Sequence, residues 1–142
     1  MAPRIDHYDW PGGREAMLRF GPDTGPVVVA ALPLFEEANR TRTFTVTLLR
    51  ALADRGIASL LPDAPGQGDS LIPTADLTIL RMAEALEAVT DHCLATGRRT
   101  YALGIRSGAL LDMCALHSGR TINPKAPARR VARMTLGSIA LK

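Results

Sequence analysis

Cysteine occurs only twice in the 142 residues, at Cys93 and Cys114. Neither belongs to a Cys-x-x-Cys pair or to a Cys/His set with the spacing of a metal-ligand cluster, which argues against a redox motif or a metal site. Both read as small buried hydrophobes, and no metal or cofactor is expected. Long apolar runs are also missing. The longest, from Val27 to Phe35, falls far short of a membrane span, and Met1 to Gly13 has no apolar signal core, so the expected location is cytoplasmic. Aromatic residues make up 4% of the chain. None lies in residues 118–142, where basic charge concentrates, so that segment lacks the basic and aromatic interleaving of a nucleic-acid binder and reads as a solvated or partner-facing tail.

Acidic residues are short on one side only. Residues 98–142 hold nine Lys and Arg against one acid, Asp112, whereas the preceding 97 residues hold eight against thirteen. The chain is long enough for one buried core, yet smaller than an enzyme built on a nucleophile turn usually is. The expected organisation is a single domain over residues 1–142 with a basic tail from 118.

What is present alternates between strand and helix. Arg14 to Phe20 alternates like an edge strand after the Pro11-Gly12-Gly13 turn. Val27 to Leu32 has no polar break, as expected of a central strand covered on both faces. Phe44, Leu48, Leu49, Leu52 and Ala53 recur at helical spacing between Arg42 and Arg55, with Thr41 or Thr43 as a cap and Gly56 at the C-terminal end. Ile57 to Leu61 is the next strand. Asp76 can cap a second helix carrying Ile79, Met82, Ala83, Leu86, Val89 and Cys93. Thr100 to Leu103 is a third inner strand, 109–116 a short helix, and residues 131–136 one further parallel strand. The fold class this predicts is α/β, a partial doubly wound, mostly parallel sheet with flanking helices.

The stretch from Tyr101 to Leu111 organises the whole: an apolar strand enters a Gly104-x-x-x-Gly108 turn and an apolar helix leaves it. In a nucleophile elbow of the form G-x-S-x-G the third position carries the nucleophile, raised above the sheet beside helix N–H groups. Here the third position is Arg106 and the serine follows as Ser107.

Val27 to Leu32, the loop Leu61-Pro62-Asp63-Ala64-Pro65-Gly66-Gln67-Gly68-Asp69-Ser70 and the Gly104 to Gly108 turn together resemble the N-terminal half of an α/β-hydrolase, over roughly residues 14–116. The run Leu34-Phe35-Glu36-Glu37-Ala38-Asn39-Arg40-Thr41-Arg42, with arginine at the elbow's third position, is similar more narrowly to the bacterial hydrolases associated with exosortase and exopolysaccharide systems. The resemblance implies an ester or acyl hydrolase, with backbone N–H groups of Leu34, Phe35 and Ser107 as the oxyanion or anion site.

Two departures bear on activity. The family's His-Gly loop is replaced by Leu32-Pro33-Leu34-Phe35. The acid and histidine that should follow the nucleophile are represented only by Asp112 and His117, and His117 lies about 15 Å along the next helix if that helix is continuous. The expectation is a truncated or divergent hydrolase, weakly active or inactive, with the strands that carry the triad missing.

The catalytic candidates are Arg106 and Ser107. Ser107 reads first as a serine bonding backbone N–H groups at a helix start. Arg106 either projects into the pocket to hold a carboxylate or phosphate, or pairs with Asp63 or Glu37. Glu36, Glu37, Asn39, Arg42 and Asp63 are pocket-lining candidates, Asp63 chiefly as a loop anchor. A non-catalytic module for an anionic ligand is the alternative to a small-molecule ester hydrolase. A third reading is a chain whose exposed sheet edge is covered by a partner or a second copy.

Overall fold

The computed structural model describes residues 2–111 and the backbone of 132–136. Strands β1 (Arg4–Trp10) and β2 (Gly13–Phe20) form a hairpin, followed by β3 (Val27–Ala31), helix α1 (Glu36–Asp54), β4 (Ala58–Pro62), a single 3-10 turn (Thr74–Asp76), helix α2 (Ile79–Ala95), β5 (Thr100–Ile105) and β6 (Ala132–Leu136). The six strands run in the order β1-β2-β4-β3-β5-β6. β1, β2 and β4 pair antiparallel, and β4, β3, β5 and β6 run parallel. This is the α/β architecture that the alternating pattern predicts.

β3 and β4 are buried at every position, which is why they read as unbroken apolar runs. On one face of the sheet, Val27, Val29, Leu60 and Met17 pack against Met82, Leu86, Val89 and Cys93 of α2. On the other, Phe20, Ala30 and Leu61 meet Leu49 and Ala53 of α1. Cys93 is buried, and desolvation raises its thiol pKa, in line with a small core residue. Cys114, Asp112, His117 and the basic tail from 118 fall outside the described residues, apart from the backbone of β6.

The structure departs from the sequence pattern in several places. Arg14 to Phe20 is not an edge strand: β1 lies outside it, and β2 is held between β1 and β4. The alternating Tyr8 and Trp10, both buried, carry β1 despite its many charged residues. Helix α1 begins at Glu36 rather than near Arg42, so Thr41 and Thr43 sit inside it; Thr41 Oγ1 donates to the Glu37 carbonyl four residues back instead of capping. Phe44, one of the periodic apolar positions, is exposed. Helix α2 is capped by Thr78, whose Oγ1 accepts from Arg81 N–H at 3.1 Å, while Asp76 belongs to the preceding 3-10 turn.

Candidate functional site

The carboxyl ends of β3, β4 and β5 carry the loops that form the site, as expected for ligand-contacting loops in open parallel sheets. The β5 turn has elbow geometry. Arg106 adopts φ 52°, the left-handed conformation that a tight strand-to-helix turn imposes on its apex. Residues 108–111 are helical. Gly108 is required where it stands, because a Cβ there would lie 2.4 Å from the Ala31 carbonyl oxygen and 2.6 Å from that of Leu32. The elbow is thereby pressed against the end of β3.

Two contacts tie this turn to the loop between β3 and α1. Leu34 N–H donates to Ser107 Oγ at 2.9 Å. Arg106 Nε sits 2.7 Å from Glu37 Oε1, with the arginine side chain half exposed. Between these ties, Phe35 takes φ 59° and ψ −137° immediately before α1, a conformation that costs a non-glycine residue on the order of 1–3 kcal/mol.

Asp63 behaves differently. Its side chain is 7% exposed and accepts from Arg42 Nη1 at 3.1 Å. The other oxygen accepts from Asp69 N–H at 3.4 Å, and the Asp63 carbonyl accepts from the buried Tyr8 hydroxyl at 2.5 Å. Gly68 lies so close that a Cβ would stand 2.6 Å from the carboxylate. Ser70 Oγ closes the loop by accepting from Gly66 N–H at 2.8 Å. Burial, aided by Glu15 and Asp63, raises the Tyr8 phenol pKa above its ordinary value of 10.0.

A cleft of about 280 Å³ lies between these loops. Its floor is apolar, from Ala30, Ala31, Met82, Leu86 and Leu111, and its polar wall holds Glu36, Asn39, Arg42, Asp63 and Gln67. Of the residues singled out from sequence, Phe35, Glu36, Asn39, Arg42 and Asp63 line this cleft. Leu34, Glu37, Arg106 and Ser107 form the two ties beside it, and Arg106 reaches Glu37 rather than the cleft interior. Sequence reasoning passed over Tyr8 and Gln67. Gln67 was visible inside the glycine loop, but Tyr8 reaches the site from β1 through a pairing that local pattern does not reveal. His7 and His92 are exposed, on β1 and the last turn of α2, and neither lines the cleft. Among the described residues, no group of three His, Cys, Asp or Glu is placed to hold a metal ion, and no helix is long and apolar enough to cross a membrane.

No protein-family model and no curated protein matches the chain. Solved structures do. An epoxide hydrolase from Vigna radiata superposes with TM-score 0.65 at 22% identity, covering 96% of this chain and 40% of its own. Epoxide hydrolase A from Mycobacterium thermoresistibile gives TM-score 0.62 at 26% identity over 81% of this chain and 35% of its own. An α/β serine hydrolase without a lid from Xanthomonas campestris gives 0.63 at 19% identity, covering 86% and 57%. The fold is that of the α/β-hydrolases, and the chain spans about two fifths of the length of these epoxide hydrolases.

Proposed function

We propose that this chain is a ligand-binding form of the α/β-hydrolase fold that does not cleave esters through a serine nucleophile. The supporting observation is the hydrogen bond from Leu34 N–H to Ser107 Oγ. Acyl transfer needs that loop N–H free to meet a developing oxyanion, and it needs the nucleophile at the apex with a base in reach. Here the serine hydroxyl occupies the N–H, the apex is an arginine held by Glu37, and neither described histidine lines the cleft.

The cleft itself retains the form of a small-molecule site, with an apolar floor and a few convergent polar groups. The guanidiniums of Arg106 and Arg42 are each paired with a carboxylate, so the reading favours a neutral ligand over the anionic one that an unpaired Arg106 would hold. The proposal extends to kinship with the bacterial hydrolases of exosortase and exopolysaccharide systems, which the run from Leu34 to Arg42 and the arginine apex resemble, and to a cytoplasmic location.

The test is a fluorophosphonate probe and a short-chain p-nitrophenyl ester applied to the wild-type chain and to Ser107→Ala. No label, and equal turnover by the two proteins, is the expected result. A phosphonate adduct on the Ser107 peptide would overturn the reading.

A further inference from the structure

One end of the cleft gathers hydrogen-bond donors without a matching acceptor, and we propose that it recognises the carbonyl of a small, neutral carboxamide with an apolar body. This rests on the reading of the cleft as a ligand site. Gln67 Nε2 is buried and has no hydrogen-bond partner among the described residues. A buried donor left unmade costs free energy and calls for an explanation. The loop does not need this side chain for its shape, because Gln67 N–H already donates to the Ala64 carbonyl and the Gln67 carbonyl accepts from Ser70 N–H. The residue lines the cleft and is only partly buried as a whole, and on this proposal its long side chain rotates to turn the amide toward the ligand.

Arg42 lines the same cleft and is held on Asp63, four residues before Gln67 on the loop after β4. It gives one N–H to Asp63 and keeps the rest of a five-donor guanidinium, with 37% of its side chain exposed. Its charge is already balanced by the Asp63 carboxylate. The inner end is therefore rich in donors and neutral in charge, which selects an acceptor oxygen without a full negative charge.

The exposed Asn39 and Glu36 precede Arg42 on α1 at three-residue steps and line the same cleft, and neither has a partner among the described residues. They offer acceptors to a ligand N–H. A carboxamide presents its carbonyl to the first group and its N–H to the second. A carboxylate would add a second net negative charge to a lining that holds Arg42 against Glu36 and Asp63. An amine would turn a donor toward donors. Against the floor of Ala31, Met82, Leu86 and Leu111, a volume of about 280 Å³ suits a body of roughly ten non-hydrogen atoms.

The experiment titrates the full chain with phenylacetamide, phenylacetate and phenethylamine, followed by chemical-shift perturbation or calorimetry. Phenylacetamide is expected to bind at least about fivefold more tightly than the other two. Gln67→Leu should weaken phenylacetamide by roughly three- to tenfold, the worth of one hydrogen bond, and leave phenethylamine, which offers Gln67 no acceptor, unchanged. Its melting midpoint should hold or rise, since a stranded donor has been removed. Gln67→Glu, which replaces the donors by an acceptor at the same size, should shift preference toward phenethylamine.

Equal affinities, tighter binding of the acid or the amine, or absence of any binding by the wild-type chain would overturn the proposal, and so would unchanged selectivity in both variants. Failure here is distinguishable from failure of the broader reading. A labelled Ser107 alongside carboxamide selectivity removes the non-hydrolytic assignment alone, whereas an unlabelled serine with no selectivity removes only the carboxamide.

Discussion

After β4 the chain turns through Gly66 and Gly68 around a carboxylate, Asp63, whereas after β5 it turns through Arg106 and Gly108 beside a hydroxyl, Ser107. Both turns carry a guanidinium–carboxylate pair to the first turns of α1, Arg42 with Asp63 and Arg106 with Glu37, at 3.1 and 2.7 Å. The shorter pair is the weaker anchor. Arg106 and Glu37 are 53% and 32% exposed, where water screens the attraction, while Asp63 is 7% exposed and fixed from three further directions by Tyr8, Asp69 and the packing of Gly68. Distance alone does not rank the two. The loop after β4 is a structural anchor whose Asp63 carboxylate and carbonyl are spent internally. The turn after β5 is a surface tie that holds a strained Phe35 beside an open cleft.

The largest effect should come from Asp63→Asn. The asparagine keeps the size of the side chain but removes the charge that Arg42 meets, and it places an amide N–H2 where Asp69 N–H now donates. A loss of about 2 kcal/mol is expected, below the range for a fully buried pair because Arg42 is partly exposed. Urea unfolding measures it. A loss under roughly 0.5 kcal/mol, the range of a surface pair, would erase the contrast between the two turns.

Next in size is an alkaline limb that belongs to the same anchor. Tyr8 is buried beneath the loop with its hydroxyl on the Asp63 carbonyl, and burial raises its pKa in the folded state. A raised folded pKa gives stability that is fully present below the unfolded value and is lost as pH climbs past it. Above about pH 10 the unfolded chain releases this proton and the folded one retains it, so stability should fall by about 1.4 kcal/mol per pH unit from this group. Denaturation at pH 9, 10 and 11 should show that slope in the wild-type chain and a shallower one in Tyr8→Phe. Equal slopes would place the phenol outside the anchor.

The same contrast explains what the sequence could and could not reveal. The buried strands β3 and β4, the glycine loop and the elbow were legible because each depends on local signals: uninterrupted apolar residues, glycines at fixed steps and an apolar helix start. Gly56, at φ 77°, ends α1 as its position predicts. The helix start is not legible because Glu36 to Arg42 is polar and carries no apolar stripe; its Glu37 and Arg42 meet the elbow and the loop after β4 instead. β1 was missed because only Tyr8 and Trp10 mark its buried face. Within the site, sequence could place Arg106 at the apex but not choose its partner, since Glu37 and Asp63 are both acids near the strand ends. Only the fold brings Glu37 to 2.7 Å and gives Asp63 to Arg42.

The smallest effect should come from Glu37→Gln, which removes the charge from the surface tie and keeps a side chain able to hydrogen bond to Arg106. With both partners at least a third exposed or nearly so, a loss of no more than about 0.5 kcal/mol is expected, and it should shrink further in 0.5 M salt. The elbow has a second tie in the Leu34–Ser107 hydrogen bond, so the turn should keep its place when the ion pair goes. A urea midpoint close to wild type, together with amide shifts confined to residues 34–38 and 104–108, would fit a tie that positions one loop without supporting the fold. A loss approaching that of Asp63→Asn would show instead that the apex arginine is an anchor in its own right.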